Sequence, residues 1–142
     1  MSHVDYPHQE LTSDIMGAAI EVHRALGPGL LESAYEVCLA DEFGRRSMDF
    51  ERQVELPVAF KGRQLDCGYR LDFMVEDSVI VELKCVERIM PIHEAQLLTN
   101  LRLSHKQAGL LINFNVRVLR DGIVRKAMSN PSVLSASSAS LR

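Results

Sequence analysis

The chain has 142 residues, 46% hydrophobic and 25% charged, which suits one folded domain with a sizeable core and excludes a chain disordered throughout. Sixteen Lys and Arg against nineteen Asp and Glu leave a formal charge of −3. No chain-wide positive field therefore draws a polyanion, and any nucleic-acid contact must rest on a local patch.

No apolar run approaches the roughly 20 residues of a membrane span, so no membrane partner is expected. The first residues lack the basic-then-apolar pattern of a secretory signal. Cys38, Cys67 and Cys85 form no CxxC, and their number is odd. A reduced, cytoplasmic setting is expected, with all three thiols buried as small apolar groups. The chain divides into an N-terminal arm over 1–10, one domain over 11–128 and a disordered Ser-rich tail over 129–142.

Leu11, Ile15, Ala18, Ala19, Val22 and Leu26 recur at helical spacing, with Thr12-Ser13-Asp14 as N-cap candidates. Gly27-Pro28-Gly29 ends that helix, and a second runs from about Leu30 to Arg46. Phe50 to Phe60 reads as extended chain, with Pro57 marking an edge strand or a bulge. Lys61-Gly62-Arg63 turns into a third stretch, Leu65 to Val75, whose odd positions are all apolar or aromatic. Strict alternation predicts one half-buried strand. Glu76-Asp77-Ser78 turns the chain into a shorter strand, Val79 to Cys85. Pro91 opens a helix to about Leu103, and Gly109 to Phe114 is a buried strand. Asp121-Gly122 suggests a hairpin turn between two short final strands. Helices, a meander and a helical crossover together predict a mixed α/β sheet flanked by helices.

Asp72 lies on the polar face of its strand. Glu82 and Lys84 are two apart on the next, so both point to one face about 7 Å apart, given a ~3.4 Å rise per residue. The short turn makes these strands antiparallel neighbours, so Asp72 can face Glu82. Like charges held close repel, and a hard divalent cation relieves them. Mg²⁺ takes one or two carboxylates, carbonyls and waters, a set that Asp72, Glu82 and the backbone carbonyl of Leu83 can supply. The same Glu-x-Lys pattern also suits a plain solvated face. Glu32 and Tyr35, three apart, share a face of the second helix, where Glu32 also complements the positive helix end. His93, Gln96 and Asn100 form a polar stripe on the third helix that either meets the Glu82/Lys84 strand or faces solvent. Neither a phosphate-binding Gly loop nor a GxSxG elbow occurs.

Gly29-x-x-Glu32-x-x-Tyr35, Leu65-Asp-Cys-Gly-Tyr-Arg-Leu-Asp72, Val81-Glu-Leu-Lys84, His93-Glu-Ala-Gln-Leu-Leu98 and Leu111-Ile-Asn-Phe114 occur in that order. Over roughly residues 10–126 the chain resembles the GxxExxY protein family of the PD-(D/E)XK nuclease superfamily. The resemblance implies a restriction-endonuclease-like core, a central mixed β-sheet flanked by α-helices. It also implies hydrolysis of phosphodiester bonds with Mg²⁺ or Mn²⁺ held by Asp72 and Glu82. Lys84 would assist the attacking water, Glu32 would join the metal site and Gln96 would orient the site or the substrate. Tyr35, Arg70 and His93 are the expected substrate contacts. Leu71 replaces the motif's proline, and Asn100 stands where relatives often carry tyrosine. The implied partner is nucleic acid, DNA ahead of RNA, with a homodimer as one route to cutting both strands. The competing reading is a catalytically inactive protein of this fold that binds nucleic acid or protein.

Overall fold

A computed structural model describes residues 6–128. The chain runs α1 (Gln9–Leu26), α2 (Glu32–Arg45), β1 (Phe50–Glu55), β2 (Val58–Phe60), β3 (Arg63–Leu65), β4 (Arg70–Val75), β5 (Val79–Lys84), α3 (Pro91–Ser104), β6 (Ala108–Asn113), a 3₁₀ turn (Leu119–Gly122) and β7 (Ile123–Ala127). Five strands form one sheet in the order β1-β4-β5-β6-β7, and β2 and β3 form a separate hairpin. β5 and β6 are parallel, joined through α3, and the other neighbours are antiparallel. This is the mixed sheet with flanking helices that the sequence predicts.

Two apolar layers hold it together. α1 and α2 bury Ile15, Ala18, Ala19, Val22, Leu39 and Phe43 against Phe73, Val75, Val79 and Val81 on one sheet face. Leu97 and Leu101 of α3 pack on Met74, Ile80 and Leu111 on the other. All six residues of β6 are buried, as expected of a strand covered on both faces.

α1 begins at Gln9, ahead of the expected cap. Thr12 lies one turn inside and donates its hydroxyl to Gln9 O at 3.0 Å. Tyr6, just before α1, is tied to the sheet, its hydroxyl donating to Lys126 O at 2.6 Å and accepting the Gly109 N–H at 3.2 Å. The 129–142 segment lies outside the described residues.

Three further expectations are corrected. Leu65 to Val75 is not one strand. Asp66 Oδ1 accepts the Gly68 N–H at 2.9 Å and Gly68 takes φ +78°, so the chain turns between β3 and β4. Cys67 and Tyr69, on the presumed apolar face, are therefore exposed. The thiols are not uniformly buried either: Cys67 is exposed, while Cys38 and Cys85 are half-buried. Finally, Asp121-Gly122 is no hairpin turn. It closes a 3₁₀ turn in which a Cβ on Gly122 would meet Asn113 O at 2.3 Å, so this glycine permits close backbone approach.

Candidate active site

The site forms where two antiparallel strands part. The β4–β5 ladder pairs Val75 with Val79, Met74 with Ile80 and Phe73 with Val81, then stops. Continued by one step, the same register sets Asp72 opposite Glu82, and by three it sets Arg70 opposite Lys84. In the opening, the Leu83 N–H donates to Asp72 Oδ2 at 2.8 Å in place of a strand carbonyl. A strand residue directs its N–H and C=O to the same side, so the Leu83 carbonyl faces the opening too. The Leu83 side chain is core.

The Glu82 carboxylate lies close to Asp72 at this opening. Its Oε2 is buried and has no hydrogen-bond partner among the described residues. Burial first, and the neighbouring Asp72 charge second, push its pKa up to about 8, with Lys84 opposing. Asp72 is shifted the same way, mainly by burial, while the Leu83 N–H opposes the shift by stabilising the charged form. Gln53 links this centre to α2, donating to Glu36 Oε1 at 2.9 Å and reaching Asp72 Oδ1 at 3.5 Å. Glu36 is buried and paired with Arg52 at 2.9 Å.

Glu32 is the first residue of α2. Its carboxyl is shifted up by partial burial and then by Asp72, with Lys84 pulling it down, so it belongs to the same electrostatic cluster. Tyr35 explains how it gets there, and the expectation of a substrate contact at Tyr35 is corrected. The ring is fully buried and stacks on Phe114 with centroids 4.5 Å apart. Its hydroxyl donates to Gly27 O and accepts the Leu30 N–H at 3.2 Å. It thus straps the loop whose end sets Glu32. Gly29, at φ +105°, lets that loop turn.

On the α3 side, a cleft of about 310 Å³ is walled by Glu82, Lys84, Tyr69, Arg70, Gln96 and Asn100 among others. Gln96 and Arg70 therefore line the same cleft as Glu82 and Lys84. A smaller cavity deeper in is bounded by Glu82, Lys84, Gln96 and His93. His93 also shapes α3: its Nδ1 accepts the Met90 N–H at 2.9 Å, which leaves Nε2 for any contact in the cavity. His23, by contrast, is a packed histidine, its Nε2 2.7 Å from Val116 O.

Sequence reasoning missed Glu36, Gln53 and Tyr69. Glu36 carried a readable signal, since it lies four residues after Glu32 on the same helical face. Gln53, in a strand interior with φ +53°, carried none.

Among the described residues, no three His, Cys, Asp or Glu side chains form a ready-made metal cage. Mg²⁺ does not require one, because it keeps several waters and takes one or two carboxylates. The unpartnered Glu82 Oε2, Asp72 and the Leu83 carbonyl make an all-oxygen donor set of that kind, so the residues present fit a hard divalent ion. Among the described residues no helix is long and apolar enough to cross a membrane.

No curated protein matches the chain. The family model for the PD-(D/E)XK nuclease superfamily matches residues 9–126, from the first residue of α1 into β7, and so takes in every element just described. With Asp72 and the Glu82-x-Lys84 pair meeting at the parted strands inside that span, the chain belongs to the PD-(D/E)XK nuclease superfamily.

Proposed function

We propose that this protein is a Mg²⁺- or Mn²⁺-dependent nuclease that hydrolyses phosphodiester bonds in DNA. One observation carries the reading: a buried carboxylate oxygen of Glu82 has no hydrogen-bond partner among the described residues, beside a second carboxylate and an amine. A fold that needed this corner only for stability would fill it with apolar groups or pair the charge.

Asp72 and Glu82 would hold the ion together with the Leu83 carbonyl, and Glu32 would complete its surroundings from α2. When bound, the ion supplies a water of lowered pKa and neutralises charge on the phosphate. The chain's own groups do the rest. Lys84 makes no ion pair among the described residues, so its Nζ protons are free for the attacking water or for the charge developing on phosphorus. The Leu83 N–H fixes the Asp72 carboxylate before substrate arrives, which avoids reorganisation during the reaction. Gln96 and Arg70 hold the substrate from the cleft walls, Arg70 through a phosphate.

The test is cleavage of labelled DNA in Mg²⁺ or Mn²⁺ by the parent chain and by Asp72→Asn, Glu82→Gln and Lys84→Ala. Each variant should fall by about 100-fold or more, the size expected when one charge-stabilising group is removed, and EDTA should stop the parent. Equal cleavage by parent and variants would defeat the proposal. Binding without any cleavage would instead mark a nucleic-acid-binding module on a nuclease fold.

A further inference from the structure

The walls of the cleft suggest which form of nucleic acid enters. Tyr69 is 54% exposed on one side, and Ile92 of α3 is 60% exposed on the other. The Tyr69 backbone is fixed: its carbonyl accepts the Leu56 N–H at 3.0 Å and an Arg70 N–H at 2.9 Å. An aromatic ring on an anchored backbone, left in water at the mouth of a polar cleft, is a platform for a planar group. The volume, about 310 Å³, is at the lower end of ligand pockets, room for one nucleotide. A base still paired in a duplex cannot reach such a wall.

Two cations without an ion pair among the described residues lie on the hairpin that joins this end of the sheet. Arg45, Arg46 and Arg52 are tied up by Asp41 at 2.7 Å, Glu42 at 2.8 Å and Glu36 at 2.9 Å. Lys61 and Arg63 enter no ion pair among the described residues, and both lie at the turn of the β2–β3 hairpin. That hairpin is inserted between β1, which ends at Glu55, and β4, which starts at Arg70, two residues before Asp72. It therefore springs from the active end of the sheet. Its tip also exposes Phe60, 58% accessible, with the Lys61 ammonium 5.5 Å from the ring centroid. Aromatic faces beside free cations are how proteins track single strands.

We infer that the site takes an unpaired nucleotide, with Tyr69 stacked on its base and the β2–β3 hairpin holding the adjoining phosphates through Lys61 and Arg63. The inference rests on the nuclease reading for its location, but its test does not need cleavage. The full chain in EDTA is titrated with a fluorescent oligothymidylate of roughly 15 nucleotides, its duplex with oligoadenylate, the matching RNA strand and an abasic strand of equal charge.

The single strand should bind at least about tenfold tighter than the duplex and the abasic strand. Tyr69→Ala should lose roughly tenfold on the single strand, within the range of one base–aromatic stack, and Tyr69→Phe should restore it. Lys61→Gln with Arg63→Gln should lower the salt dependence by about 1.4 in the log–log slope, two phosphates' worth. Tighter binding of the RNA strand would support the stacking site with RNA as its source. Equal binding of single strand and duplex, or full affinity in Tyr69→Ala, would overturn the inference even where metal-dependent cleavage is found. Tyr69-dependent binding in a protein that cuts nothing would uphold it while the nuclease reading fails.

Discussion

Glu82 shows how much the protein gives up at one residue. In an unfolded chain its carboxyl ionises near 4.5, whereas in the fold it keeps its proton until about pH 8. Between those values the native state binds a proton that the unfolded state has lost, so stability falls as pH rises. The contribution is up to about 1.4 kcal/mol per pH unit, and the upward shifts of Asp72 and Glu32 act in the same direction. Glu82→Gln keeps the shape and removes the charge. It should raise the metal-free melting temperature at pH 8, leave it nearly unchanged at pH 4.5, and flatten the pH dependence between them. Thermal unfolding across that range checks this, and an unaltered slope in the variant would contradict the electrostatic account. Divalent ions require the ionised form, so the metal affinity of the parent should rise with pH over the same interval.

At the scale of elements, the junction of α1 and α2 deserves the closest test. Leu31 provides no side-chain cap for α2, so the approach to Glu32 depends on the Tyr35 hydroxyl. Tyr35→Phe keeps the stack on Phe114 and leaves Gly27 O and Leu30 N–H without that partner. Denaturant melts should show a loss of about 0.5–1.5 kcal/mol, the net range for a hydrogen bond whose partners water can still reach. On the role proposed for Glu32, which follows the loop that Tyr35 straps, the variant should also lower kcat more than it raises KM. A loss confined to stability would reduce Tyr35 to a core residue. The parting of β4 from β5 is the other decisive element feature. The register that pairs Phe73 with Val81 brings the two carboxylates together only because the ladder stops there.

The whole molecule is a three-layer sandwich whose carboxylates meet at one end of the middle layer. Anything that binds there and ignores the unfolded chain stabilises the entire fold by mass action. Mg²⁺ at a hundred times its dissociation constant should add about 2.7 kcal/mol to the parent at pH 8 and essentially nothing to Glu82→Gln. Calorimetry with Mg²⁺, and with K⁺ at equal ionic strength as the control, separates site binding from screening. Equal gains from the two ions would remove the metal site.

Much of this was readable in advance because it depends on local periodicity. Helical spacing in α1, alternation in Leu71 to Val75 and the two-residue step from Glu82 to Lys84 each follow from backbone geometry within a few residues. The order of those elements then narrows the topology to a mixed sheet with a helical crossover. Spacing could not separate a tyrosine that meets substrate from one that holds a loop, and Tyr35 proved to be the second. Nor could alternation detect the break at Gly68, where a side-chain hydrogen bond and a left-handed residue override the pattern and turn Tyr69 outward. The sequence by itself determined the layers and the face that Glu82 and Lys84 share, because those are set by neighbours along the chain. Tertiary structure alone decided where the strands part, that Glu36 neutralises Arg52 and which carboxylate oxygen has no partner among the described residues, because each depends on groups brought together from distant segments.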